Sequence, residues 1–141
     1  MNGGIRRNVK QLAKKKTREL KQTWKLSRSH RRGRYGFYQY LKAVYAFYEE
    51  LRATNGLASK VRNHLRRQYA LSSRLSGINA IIATSSREKG KTRERWAQAV
   101  RYAWKWRDRW KSISLEELFE LNGGVAGCAA NYANGVKPRV R

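Results

Sequence analysis

Over residues 35–56 the apolar positions recur with a helical period. Phe37, Tyr40, Leu41, Val44, Tyr48 and Leu51 fall on one face of the helical wheel, while Gln39, Lys42, Ala46, Glu49 and Glu50 fall opposite. Asn55-Gly56 supplies a stop signal. The pattern predicts a long helix with one face in a core. Leu57, Val61, Leu65 and Tyr69 keep the spacing and predict a second helix, and Leu75, Ile78 and Ile82 predict its continuation or a third. Between them LSSRLSG, residues 71–77, is a place to bend or break, because Ser and Gly disfavour helix interiors.

After a basic loop, SSREKGKT over residues 85–92, comes RERWAQAVRYAWKWRDRWKS over residues 93–112. As a helix it places Trp96, Ala99, Val100, Ala103, Trp106 and Trp110 on one face and Arg101, Lys105 and Arg109 on the other. Tyr102 and Trp104 lie on the two flanks, where a ring can be half exposed and stack on a base. Arg107 projects between Trp96 and Val100, so it either marks where the helix leaves the core or lies across indole faces. Ser114 with Glu117 three residues on matches a capping box, opening a short helix lined by Leu115, Leu118 and Phe119. Asn122-Gly123-Gly124 ends it, and the small, Gly-rich, aperiodic remainder is expected to be extended or irregular. No stretch alternates apolar and polar residues for long enough to make a strand. The expected class is all-α: a small antiparallel bundle of about four helices over residues 35–122, a basic N-terminal extension over 1–34, and an irregular Gly-rich tail over 123–141.

The extension has Ile5, Val9, Leu12, Leu20 and Trp24 near one helical line, but Lys16 sits on that line too. Thirteen cations against the single acid Glu19 resist helix formation until something neutralises them, so this segment is expected to be an arm that orders on a polyanion.

Charge turns this fold into a functional expectation. The 141 residues, enough for one domain, carry 33 Lys+Arg against 9 Asp+Glu, a formal charge of +24. Arg outnumbers Lys, 20 to 13, and the surplus lies in two blocks of net +12, residues 1–34 and 56–113. Such a surplus repels itself in isolation and points to a polyanionic partner. The expected contacts in the first block are Arg6, Arg7, Lys14, Lys15, Lys16, Arg18, Lys21, Lys25, Arg28, Arg31, Arg32 and Arg34. Those in the second are Arg62, Arg66, Arg67, Arg87, Lys89, Lys91, Arg93, Arg101, Lys105, Arg107 and Arg109, with Tyr102 and Trp104 as rings. The arginine excess and the arginine-rich arm favour RNA over DNA. In composition the chain resembles small basic helical subunits of ribonucleoprotein machines, ribosomal proteins and the small subunits of CRISPR effector complexes among them; no residue is carried over from that likeness.

Catalysis finds little footing. His30 and His64 both sit among arginines, and neither is preceded at four to six intervening residues by the arginine that some helical ribonucleases carry. Glu49-Glu50 and Glu116-Glu117 are adjacent pairs, which diverge on a helix. EKGKT has the end of a phosphate loop without its upstream glycine, and Cys128 alone builds neither a disulfide nor a cysteine zinc site. A non-enzyme without metal or cofactor is expected, in the cytoplasm or another reducing compartment that holds nucleic acid. Two rivals are an amphipathic protein on an anionic membrane surface, which is disfavoured, and an accessory or regulatory protein on duplex DNA. The charge-balanced end, residues 114–141, is expected either to close this protein's own core or to dock on a neighbouring subunit.

Overall fold

The computed structural model describes residues 2–29 and 34–140, with side chains described for 8–28 and 37–140. The described residues form seven α-helices in order: α1 Asn2–Ser29, α2 Arg34–Ala53, α3 Leu57–Gln68, α4 Gly77–Ser85, α5 Gly90–Lys105, α6 Leu115–Leu121 and α7 Gly124–Asn134. A 3-10 turn, Arg107–Arg109, follows α5. The described residues contain no strand, so the all-α class holds, with more helices than the four expected.

The predicted core helix is the centre of the molecule. α2 packs against α1, α3, α4, α5 and α6. Its expected polar positions, Gln39, Lys42, Ala46, Glu49 and Glu50, are exposed. Being covered on several sides, it also buries Tyr38, Tyr45 and Phe47, beyond the single predicted face. Rings tie it to its neighbours: Phe37 and Tyr40 lie 4.9 and 5.7 Å from Trp96, Tyr38 meets Phe119 edge-on at 5.2 Å, and Tyr45 lies 5.4 Å from Trp110. Each such pair contributes about 0.5–1.5 kcal/mol beyond its buried area. The Ser85 hydroxyl donates to the Ile81 carbonyl at 2.6 Å, which leaves its oxygen to accept from the Tyr40 hydroxyl, also at 2.6 Å.

The described part of the expected arm, Asn2–Ser29, is instead a helix packed on the core. α1 buries Val9, Ala13, Thr17, Leu20, Trp24 and Ser27 against α2, α3 and α4, in the same core as the rest of the chain. Ala13, Thr17 and Ser27 hold positions of the stripe where large apolar residues are absent, so its spacing is complete although its hydrophobicity is thin. Lys16, which interrupts the apolar line, reaches Glu50 of α2 at 3.4 Å and Glu19 at 3.7 Å. The remaining described cations of α1 lie on its solvent side, where their repulsion is screened.

LSSRLSG does break the chain. α3 ends at Gln68 with Tyr69 as its C-cap, Ala70 takes a left-handed φ of 52°, and Ser76 caps α4 by accepting from the Asn79 N–H. The Ser114 cap is also formed, its hydroxyl accepting from the Glu117 N–H at 3.1 Å. Leu115, Leu118 and Phe119 are buried in this chain's own core, and Glu116 pairs with Lys42 at 3.4 Å. The apolar side that docking on another subunit would need is therefore already covered.

The Gly-rich tail is largely helical. α7 lies along α5 and buries Gly124, Cys128 and Ala129. At Gly127 a Cβ would stand 2.1 Å from the Asn122 carbonyl oxygen, so only glycine fits that close approach. Beyond α7, Asn122 holds the last turnless stretch: its Oδ1 accepts from the Arg139 N–H at 2.8 Å and its Nδ2 donates to the Arg139 carbonyl at 3.0 Å. Burial pushes the Cys128 thiol up to about 12, which leaves it unreactive at neutral pH.

Candidate nucleic-acid interface

On α1 each buried residue of one line is followed by a cation of the next. Val9, Ala13, Thr17 and Leu20 face the core, and Lys10, Lys14, Arg18 and Lys21 stand one step round the helix, all exposed. At a rise of about 1.5 Å per residue this cation line runs for about 16 Å. It forms one wall of a groove of about 490 Å³ whose other wall is α3, with His64, Leu65 and Gln68, and its C-cap Tyr69. No acidic residue lines the groove. Cations gathered over low-dielectric walls focus a positive potential there, which an anion relieves. The His64 imidazole is held below its ordinary pKa, first by burial and then by the neighbouring Arg67 and Lys10 charges, so it is neutral at pH 7.

Of the expected contacts, Lys14, Arg18 and Lys21 line this groove, with Lys15 and Lys25 exposed on α1 outside it. Lys16 is taken up by its two carboxylates and is withdrawn as a phosphate contact. Arg28 lies over the Trp24 ring at 5.3 Å. Arg66 is occupied as a brace, donating to the Ser73 carbonyl and, at 2.6 Å, to Asn63 Oδ1. Arg62 also approaches Asn63, at 3.5 Å, and Arg67 is exposed beside His64. Arg87, Lys89 and Lys91 are exposed and Arg93 half-buried near the start of α5, none of them in the groove. Arg31 and Arg32 lie outside the described residues, as does His30, and the side chains of Arg6, Arg7 and Arg34 lie outside those described.

The ring-and-cation stretch divides in two. Trp96 and Trp110 are core residues, and the Trp110 indole donates to the Ala103 carbonyl at 2.9 Å. Tyr102 is fully buried and is withdrawn as a stacking ring, because α7 covers a flank of α5 that an irregular tail would have left open. Trp104 is half-buried, with Tyr48 edge-on at 5.2 Å. Arg107 lies 4.1 Å over the Trp104 ring and donates to its carbonyl at 2.9 Å, while Arg52 stands 5.9 Å away. Arg107 thus both leaves the core and lies across an indole. Trp106, expected in the core, is only half-buried because α5 ends at Lys105; Lys105 and Arg109 flank it at 5.5 and 5.9 Å. Arg101 lies 5.1 Å over Tyr132 of α7.

Lys10, Thr17, His64, Gln68 and Tyr69 are the polar and aromatic groove residues absent from the expected contacts. Lys10 was legible, since positions 10, 14, 18 and 21 share one helical line. Tyr69 closes the apolar line of α3 and carried no sign that it would stand exposed. Among the described residues no three His, Cys, Asp or Glu side chains form a group that could hold a metal ion. Nor is any helix among them long and apolar enough to cross a membrane. Compared with protein-family models, curated proteins and solved structures, the chain has no significant match.

Proposed function

We propose that this protein is a non-catalytic RNA binder, a subunit of a ribonucleoprotein assembly, that seats the phosphate backbone in the groove between α1 and α3. One observation carries the reading: Lys10, Lys14, Arg18 and Lys21 stand in line along a groove with no acid in its lining. Each phosphate neutralised there releases condensed counterions, which drives association without reading sequence. The excess of Arg over Lys, 20 to 13, favours RNA over duplex DNA, because guanidinium planes stack on the unpaired bases that RNA loops and ends expose. Binding of an unstructured RNA, titrated across a range of salt concentrations, tests the reading. It requires a steep fall of affinity with salt.

His64 adds a pH signature. Histidine is the side chain that ordinarily changes charge between pH 5 and 8, and His64 is the histidine in the groove lining. A phosphate beside it stabilises the imidazolium, and binding then takes up a proton. RNA affinity is expected to rise as pH falls from about 7 to about 5.5, by at most about tenfold per pH unit for one proton, and His64→Gln should flatten the profile. The free protein moves the other way. Its folded His64 pKa lies below the unfolded value, so the unfolded chain binds more protons and the melting temperature falls over the same window. Affinity and stability changing in the same direction would remove His64 from the site.

A further inference from the structure

A ring at the end of the groove narrows what kind of strand it takes. Of the aromatic residues whose side chains are described, only Tyr69 is exposed, at 41%. The half-buried indoles stand outside the groove: Arg107 covers Trp104 at 4.1 Å, and Trp106 lies beside Lys105 and Arg109. Tyr69 instead stands on the groove wall, with Lys21 of the cation line 5.6 Å from its ring centroid.

The backbone that presents this ring is held in an unusual conformation. Ala70 adopts a φ of 52°, a left-handed turn that a residue with a Cβ enters at a cost of about 1–2 kcal/mol. Three bonds fix the turn. The Leu71 N–H reaches the Arg66 carbonyl at 2.9 Å, and the Arg66 guanidinium is shared between the Ser73 carbonyl and Asn63. Strain kept in place by surrounding bonds recurs where a side chain must be aimed.

Resting on the reading of the groove as a phosphate site, we infer that it takes an unpaired strand and that Tyr69 is its base-stacking residue. Phosphates would follow Lys10, Lys14 and Arg18, and the nucleotide reaching Lys21 would lay its base on the Tyr69 ring. A base inside a duplex has both faces covered by its neighbours and offers the ring nothing; only an unpaired stretch, loop or end does.

The test compares a short unstructured RNA with the same RNA annealed to its complement, using the full chain. Tyr69 is exposed, so Tyr69→Ala should leave the helical circular dichroism and melting temperature unchanged. It should weaken single-strand binding about 5- to 150-fold, the range for one stacked base, without altering the salt slope. Tyr69→Phe should retain binding, and duplex binding should be indifferent to Tyr69→Ala. Lys14→Gln separates the two readings. If it weakens binding while Tyr69→Ala does not, or if the wild type binds duplex as tightly as single strand, the unpaired-strand inference is overturned and the phosphate groove stands. If neither substitution changes affinity, both are overturned.

Discussion

Replacing Lys10, Lys14, Arg18 and Lys21 together by glutamine is expected to lower RNA affinity about 600-fold at 0.1 M salt. On single strands each phosphate contact contributes about −0.7 to the slope of log K against log salt, so four contacts contribute about −2.8. If their contribution vanishes near 1 M salt, one decade of dilution restores about 2.8 decades of affinity, which the variant lacks. The fold should survive, because all four side chains are exposed and the buried line beside them is untouched. Thermal stability should even rise slightly, since like charges four apart on a helix repel. The control is a variant of equal net charge, with Lys60, Arg74, Arg95 and Lys111, all exposed and outside the groove, changed to glutamine. A loss of affinity in the control as large as in the groove variant would mean that RNA answers to net charge alone.

The second large effect is on the fold. Gly127→Ala is expected to destabilise the protein by about 3 kcal/mol or more, at the upper end of overpacking costs. Its Cβ would meet the Asn122 carbonyl at 2.1 Å, and that atom is backbone, so no side-chain rotation relieves the contact. The turn between α6 and α7 must then open, which disturbs the seat of α7 and the burial of Cys128 next to Gly127. A fall in melting temperature with new thiol reactivity at Cys128 is the expected outcome, and unchanged melting would show that α7 does not pack as described.

Gly127 also shows where sequence stops being legible. The residues of α7 carry no apolar period because their use is to be small, and smallness looks like irregularity until α5 is known to lie against it. α1 misleads for a related reason. Its buried line contains Ala13, Thr17 and Ser27 where large apolar residues would have announced a helix, and the argument from charge repulsion fails because Lys16 finds Glu50 on another helix. α2, by contrast, was plain, since its apolar residues are large and regularly spaced. The excess of Tyr38, Tyr45 and Phe47 in the core reflects a helix surrounded on several sides, where single-face reasoning undercounts.

The candidate site follows the same division. That α1 carries cations was evident from composition, and three of the four groove cations were named from it. The groove itself was not legible, because it exists only where α3 lies beside α1, and no local pattern states which helices are neighbours. Tyr69 became exposed through the turn at Ala70, a conformation that alanine does not advertise.

The central claim, that the groove between α1 and α3 is the phosphate track, is tested most directly by lysine footprinting. The free and RNA-bound protein would be acetylated and the modified positions read by mass spectrometry. The prediction is protection of Lys10, Lys14 and Lys21 by RNA, with Lys60, Lys111 and Lys137, all exposed elsewhere, reacting as before. Protection at those three outlying lysines, with Lys14 and Lys21 still reactive in the complex, would contradict it.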